Sequence, residues 1–284
     1  MTNNHAFKKI LLTALSIVSP LLGQTWYVTS IYPFKLILNP LLAGKGSIMA
    51  LLPPGASPHT FEIKPSEARA IANARALIIG GANLDDWAAG SSPENLINLQ
   101  LLIPDSLKIY LDDQKETVDP HFWTDPLTVR AMLSSLTEKL CRLDQQNCSR
   151  IRSNSGKFAS ILTSLDSDIR NQLSSITNRS IMISHPFFNY FLKRYGLNTV
   201  GIIETVPGKE PGPREISGLI AAGRANKIRA VYVHSRHEER SASVIADALD
   251  IPLVRLDPIG NPQEINDYSE LIIYNVKRIV ETQR

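Results

Sequence analysis

The sequence predicts an α/β protein made of two blocks of alternating strand and helix, with a single long helix between them. Three observations carry this. Residues 76–80 (ALIIG) are a continuous apolar run closed by glycine, the pattern of a parallel strand buried on both faces. Between residues 181 and 280 the order strand then helix recurs four times, which favours a parallel, doubly wound sheet. Residues 149–176 contain no proline and one glycine, with Ile151, Phe158, Ile161, Leu162, Leu165, Ile169, Leu173 and Ile176 on one face at spacings of three, four or seven. At 1.5 Å per residue this helix reaches roughly 40 Å, long enough to act as a rigid linker. The expected layout is a leader at 1–23, a first lobe at 24–148, a linking helix at 149–177 and a second lobe at 178–284.

The leader is a polar start ending in Lys8 and Lys9, followed by an apolar run at 10–22. That run is too short to span a bilayer, which takes roughly 20 apolar residues, and it has the form of a secretory signal. Cleavage is expected near Gly23–Gln24. No cysteine follows the apolar run to carry a lipid, so the mature chain is expected to be exported without an anchor or a membrane span. The formal net charge is +3, and removing Lys8 and Lys9 leaves the mature chain near neutral. That gives no basis for nucleic-acid binding, which needs a basic patch. The two cysteines, Cys141 and Cys148 in CRLDQQNC, would close a small loop, and an exported protein can keep such a disulfide.

In the first block, strands are expected at 26–30, 47–52 and 76–80, with a further short strand at 99–103, and an alanine-rich helix at 67–76. Between the second strand and that helix runs LLPPGASPHTFEIKPSE (51–67), a loop stiffened by Pro53, Pro54 and Pro58 that offers one imidazole, His59. Pro65 suits the first turn of the helix, where its missing N–H is not needed. The segment DPHFWTDP (119–126) places His121 just before a second helix, for which Asp125 is the N-cap and Pro126 the first residue. In the second block, a strand at 181–184 leads to His185, and Pro186 opens a helix capped by Gly196. Strands at 199–203, 230–233 and 253–256 alternate with helices at 214–226, 241–249 and 265–280.

His59, His121, His185 and Asp257 share one position: at or beyond the carboxyl end of a strand, or immediately before a helix. Ligands of open α/β sheets bind there. Two of these residues belong to each block, so facing blocks can bring all four into one cleft. A lone histidine on a loop is ordinarily a surface residue, and Asp257 before Pro258 is alone a turn residue. Together, three imidazoles and a carboxylate make a tetrahedral zinc shell with no open position for water, which holds a metal and does not activate it. His234 ends a strand on the same sheet edge and could support the ligands. His237 belongs to the solvated run RHEER, and His5 would leave with the leader.

These residues resemble the cluster A-I solute-binding proteins of metal ABC transporters, and within them the ZnuA and TroA group. The matching pieces are PPGASPHTFEIKPSEARAIANA (53–74), LDDW after a GGAN turn (84–87), DPHFWTDP (119–126), SHPFFNYFLKRYGL (184–197), EPGPREISGLI (210–220) and LDPIG (256–260). The resemblance implies two Rossmann-like lobes joined by one long helix, with metal held between them by His59, His121, His185 and Asp257. It implies Zn2+ as the cargo, with Mn2+ or Fe2+ as alternatives. Its implied partners are a membrane permease and its ATPase, and the receptor is expected to work as a monomer in the periplasm. A histidine at 185 is similar to the zinc-type members; many manganese-type relatives have glutamate there. Two departures stand out. The stretch at 112–118 is short and lacks the histidines of a metal-collecting loop, and His234 stands where many relatives have glutamate. A zinc hydrolase is disfavoured, since there is no His-Glu-x-x-His pair. A surface adhesin is the other alternative. Metal binding is expected to weaken below roughly pH 6.5, where ordinary histidines protonate.

Overall fold

The structure is a computed structural model and describes residues 25–44, 46–90, 95–204, 209–234 and 239–284. The expected leader and His237 lie outside the described residues. Two four-stranded parallel sheets form the frame. The first contains β1 (Thr25–Thr29), β2 (Ser47–Ala50), β3 (Ala76–Ile79) and β4 (Leu96–Asn98) in the order β2-β1-β3-β4. The second contains β5 (Ser180–Ile183), β6 (Asn198–Ile202), β7 (Val231–Val233) and β8 (Leu253–Arg255) in the order β6-β5-β7-β8. The two orders are the same, so each lobe is built on one plan. The central β3 is buried at every residue, as its uninterrupted apolar sequence requires.

In the first lobe, α1 (Tyr32–Leu42), α2 (Pro65–Ala72) and α3 (Asp86–Ala89) lie between strands, and α4 (Pro126–Leu143) follows the last. Helix α1 was not among the expected elements, and Pro33 and Pro40 both fall within it. Pro33 lies in the first turn, where no N–H is needed, and the apolar face from Phe34 to Leu42 is buried. The strand expected at 99–103 is displaced: β4 ends at Asn98, and Gln100–Leu102 is a 3-10 turn. The N–H groups of Leu99 and Gln100 still bond the carbonyls of Ile79 and Gly80, and the chain then folds back on itself, with the Leu102 N–H on the Leu99 carbonyl at 2.9 Å. Helix α4 starts as expected, with Asp125 accepting from the Leu127 N–H at 2.9 Å.

Helix α5 (Cys148–Leu173) is the long helix between the lobes, and α6 (Asn189–Arg194), α7 (Pro213–Ala225), α8 (Glu239–Leu249) and α9 (Tyr268–Gln283) belong to the second lobe. Helix α6 begins later than expected, because a tight turn from the Phe187 N–H to the His185 carbonyl, 2.7 Å, occupies its first residues. Gly196 takes the left-handed conformation just past its end, at φ +64°. Helix α5 buries Ile151, Phe158, Leu162, Leu165, Ile169 and Leu173, and it packs on α1 and α4 of the first lobe and α9 of the second. One hydrophobic core therefore runs through both lobes, from Tyr27 and Phe34 through α5 to Val276 and Ile279. No helix among the described residues is long and apolar enough to cross a membrane.

Cys141 and Cys148 form a disulfide across the short turn between α4 and α5. Closing so short a loop restricts the unfolded chain modestly. Replacing both cysteines by serine is expected to lower unfolding free energy by about 2 kcal/mol. Urea denaturation of the double variant against the oxidised parent checks this.

Candidate metal centre

Three histidines converge between the lobes. The ligand-capable nitrogens of His59, His121 and His185 lie within 4.8 Å of one another. Their ring centroids form a nearly equilateral triangle with sides of 5.5, 5.2 and 5.3 Å. The Nε2 atoms of His59 and His121 are 3.4 Å apart.

Each ring is held by its surroundings. His121 is the most tightly fixed: Asp119 Oδ1 lies 2.9 Å from its Nδ1 and accepts its backbone N–H at the same distance. That leaves Nε2 for the cluster. His185 follows β5, and its Nδ1 lies 3.4 Å from the Glu204 carbonyl, while its Nε2 is buried with no hydrogen-bond partner. His59 hydrogen-bonds the backbone of Asn83. Its loop is pinned one residue earlier, where the Trp87 indole donates to the Pro58 carbonyl at 2.8 Å. Trp87 is placed in turn by the left-handed turn at Gly81, Ala82 and Asn83. The buried Asp85 carboxylate closes that turn, accepting from the N–H groups of Gly80 and Gly81 at 2.7 and 2.8 Å and from Ser30. Gly81 is left-handed at φ +81°, a conformation that favours glycine, and a Cβ there would also press on the Asn98 side chain.

Asp257 follows β8 and lies outside the 4.8 Å grouping. Its Oδ1 accepts from the N–H groups of Ile259 and Gly260 at 3.0 and 2.7 Å. The turn thus uses one carboxylate oxygen and leaves Oδ2 to other partners. Buried Asn275 clamps the Asp257 backbone from α9, accepting its N–H and donating to its carbonyl, both at 2.7 Å. Asp257 and His234 both line a half-open cavity of about 380 Å3 that also meets Pro54, Gly55 and Ala56.

Burial, followed by repulsion from the other rings, pushes the His59 imidazole down to about 4 and His185 further down. Both rings are therefore neutral at pH 7 and can each offer a lone pair. Asp119, Trp87, Asn83 and Asn275 were not singled out from sequence. The signals available were the place of Asp119 two residues before His121 in DPH and the GGAN and LDDW pieces that contain Asn83 and Trp87.

Two lobes on a shared plan, with donors from both meeting in a buried cluster, define a receptor that encloses a small cation. The chain belongs to the ZnuA family, zinc-uptake complex component A, periplasmic, whose family model matches residues 28–282. It is a metal-binding receptor of a metal uptake system, a class of solute-binding proteins and not of enzymes. It is 32% identical over 257 residues to a Thermotoga maritima chain that carries only a provisional metal-binding name, covering 89% of this chain and 91% of that one. It is 24% identical over 263 residues to the manganese-binding lipoprotein MntA of Halalkalibacterium halodurans, covering 89% and 86%. Among solved structures it resembles the periplasmic zinc-binding protein TroA of Treponema pallidum, with a TM-score of 0.82 at 19% identity over 92% of this chain and 99% of that one.

Asp119 holds the His121 tautomer from outside the cluster. Groups in that position change metal affinity by roughly 10–100-fold when removed. Asp119→Ala is expected to lower metal affinity by that factor, measured by chelator competition. An affinity within twofold of the parent would show that the Asp119 contact does not tune the site.

Proposed function

We propose that this chain is the exported receptor of an ABC importer for zinc. It would hold one ion through His59, His121, His185 and Asp257 and pass it to a membrane permease driven by an ATPase. The observation that supports this best is the 3.4 Å between the Nε2 atoms of His59 and His121. Two nitrogens on a tetrahedral zinc with bonds of roughly 2.0–2.1 Å stand about 3.3 Å apart. The buried Nε2 of His185, with no hydrogen-bond partner, is a third donor facing the same need. Asp257 would complete the set through Oδ2. Three imidazoles and one carboxylate suit zinc better than manganese, which favours oxygen-rich shells. A shell filled by protein atoms leaves no place for a reactive water, so it serves carriage and not hydrolysis. Manganese or iron(II) is the second reading, favoured by the relationship to MntA.

Titration of the mature protein with zinc, manganese and iron(II) against a competing chelator tests this. One zinc per chain, bound far more tightly than manganese, is the expected result. His59→Ala and His121→Ala are each expected to weaken zinc by 100-fold or more with the apo fold retained, and Asp257→Ala by less. Unchanged titrations in both histidine variants would sink the shell.

The pH dependence follows from the two lowered rings. From pH 7.5 to 5.5, three imidazoles titrating near 6.5 would cost about 1,000-fold in affinity, roughly tenfold each. With His59 and His185 neutral across most of that range, the expected loss is far smaller than 1,000-fold. The apo fold responds in the same direction. The unfolded chain protonates these rings below about 6.5, while the folded chain does not take up a proton on His59 until about 4. Stability of the metal-free protein is therefore full above pH 6.5 and falls as pH drops from 6.5 toward 4. Thermal melts across that window check the sign.

A further inference from the structure

We propose that His234 is the transit ligand of the metal path: it takes the ion in the cavity beside the histidine cluster and hands it to the cluster, without belonging to the resident shell. This rests on the receptor reading above.

The placement comes from the second sheet. Strands β5, β7 and β8 are neighbours, with Ile183 paired to Tyr232 and Val233 to Arg255. The ladder continues past the strand ends: the Ser184 N–H donates to the Tyr232 carbonyl, and the Leu256 N–H to the Val233 carbonyl, both at 2.8 Å. Carried forward in that register, His234 falls level with His185 on one side and with Leu256, next to Asp257, on the other. Adjacent strands are about 4.8 Å apart. His234 therefore stands between a clustered histidine and the carboxylate, and close enough to His59 and His185 for a charge on its ring to disfavour charge on theirs.

Exposure gives the order of encounter. His121 and His185 are 3% and 6% exposed, His59 and His234 are each partly exposed, and of these four only His234 lines the 380 Å3 cavity. His234 and Asp257 do line it, so an ion arriving through that cavity meets them first. Arg255 lines the same cavity, and its ion pair with Glu239 offsets a charge that would otherwise repel a cation. Zinc accepts a fifth ligand in passing. An imidazole beside the shell then lets each protein–metal bond form before the previous one breaks, which lowers the barrier in both directions.

A transit ligand stabilises only the intermediate, so its loss must slow entry and exit by the same factor and leave the dissociation constant nearly unchanged. Zinc association by stopped flow, and zinc loss to excess chelator, would be measured for the parent and for His234→Ala, His234→Gln and His234→Glu. Ala and Gln are expected to slow both rates about tenfold or more with Kd within about twofold. Glu offers another metal-binding group and is expected to keep rates near the parent's. Unchanged rates in both Ala and Gln would overturn the proposal. So would a Kd weakened tenfold with association unaffected, or equal slowing in Glu, Ala and Gln. Failure of the parent itself to bind one zinc would instead remove the receptor reading.

Discussion

The Trp123 indole donates to the Pro258 carbonyl at 2.7 Å, and the Tyr268 hydroxyl donates to the Trp123 carbonyl at 2.6 Å. Trp123 lies two residues beyond His121, Pro258 one beyond Asp257, and Tyr268 opens α9. One fully buried side chain thus sets the spacing between the turn that carries a first-lobe histidine and the turn that carries the second-lobe carboxylate. Leaving either buried carbonyl without its donor would cost about 1–3 kcal/mol. Nearby pairs repeat the tie. The Tyr32 hydroxyl donates to the Ile265 carbonyl at 2.6 Å, and Arg194 of the second lobe pairs at 2.7 Å with Asp125, the cap of α4. A centre split between two lobes keeps its geometry only if the lobes keep theirs, and these buried bonds fix them at the site itself.

The same packing explains the state of the histidines. Three imidazoles within 4.8 Å cannot all be charged, and burial makes even one charge costly. The fold holds them together by giving each ring a fixed partner on its other side: Asp119 for His121, the Glu204 carbonyl for His185 and the Asn83 backbone for His59. Those partners set tautomer and direction before any ion arrives, so a metal finds lone pairs already aimed. The conformational cost of assembling the site falls on folding and not on binding.

Much of this was legible in the chain. The apolar run at β3, the amphipathic stretch of α5 and the Asp125–Pro126 helix start each depend on local pattern, and each was read correctly in kind. Helix α5 ends at Leu173, short of Ile176: the N–H groups of Ser175 and Ile176 turn to the carbonyls of Gln172 and Leu173, and those of Thr177 and Asn178 go to the Gln283 carbonyl. No local signal announces that. Helix α1 was not read from the sequence, and it carries two prolines that its first turn and its packing tolerate. The convergence of His59, His121 and His185 was legible from their shared place before helices and after strands. Their supports were not: Trp87 on Pro58, Trp123 on Pro258 and Asn275 on Asp257 join residues far apart in sequence, through bonds that exist only once the sheets are placed.

The shared core also limits how a bound ion could leave. Wide hinge opening would separate α5 from α1 and α4 or from α9, and would expose apolar surface at roughly 25 cal/mol per Å2. Several hundred Å2 would then cost many kcal/mol, more than a carrier can spend on each cycle without help. Changes at the centre should therefore fall on the parts least held by packing. His121 and His185 are buried on turns locked by the core, whereas the loop before His59 is exposed at Pro53, Pro54 and Gly55. It is tethered by the Trp87 bond to Pro58 and the His59 bond to the Asn83 backbone, and it borders the cavity that holds His234 and Asp257. The centre is thus asymmetric by construction, with two buried histidines on the inner side and His59 on the edge nearer solvent. An asymmetry of that kind would let an ion held there be reached from one side while the lobes stay where they are.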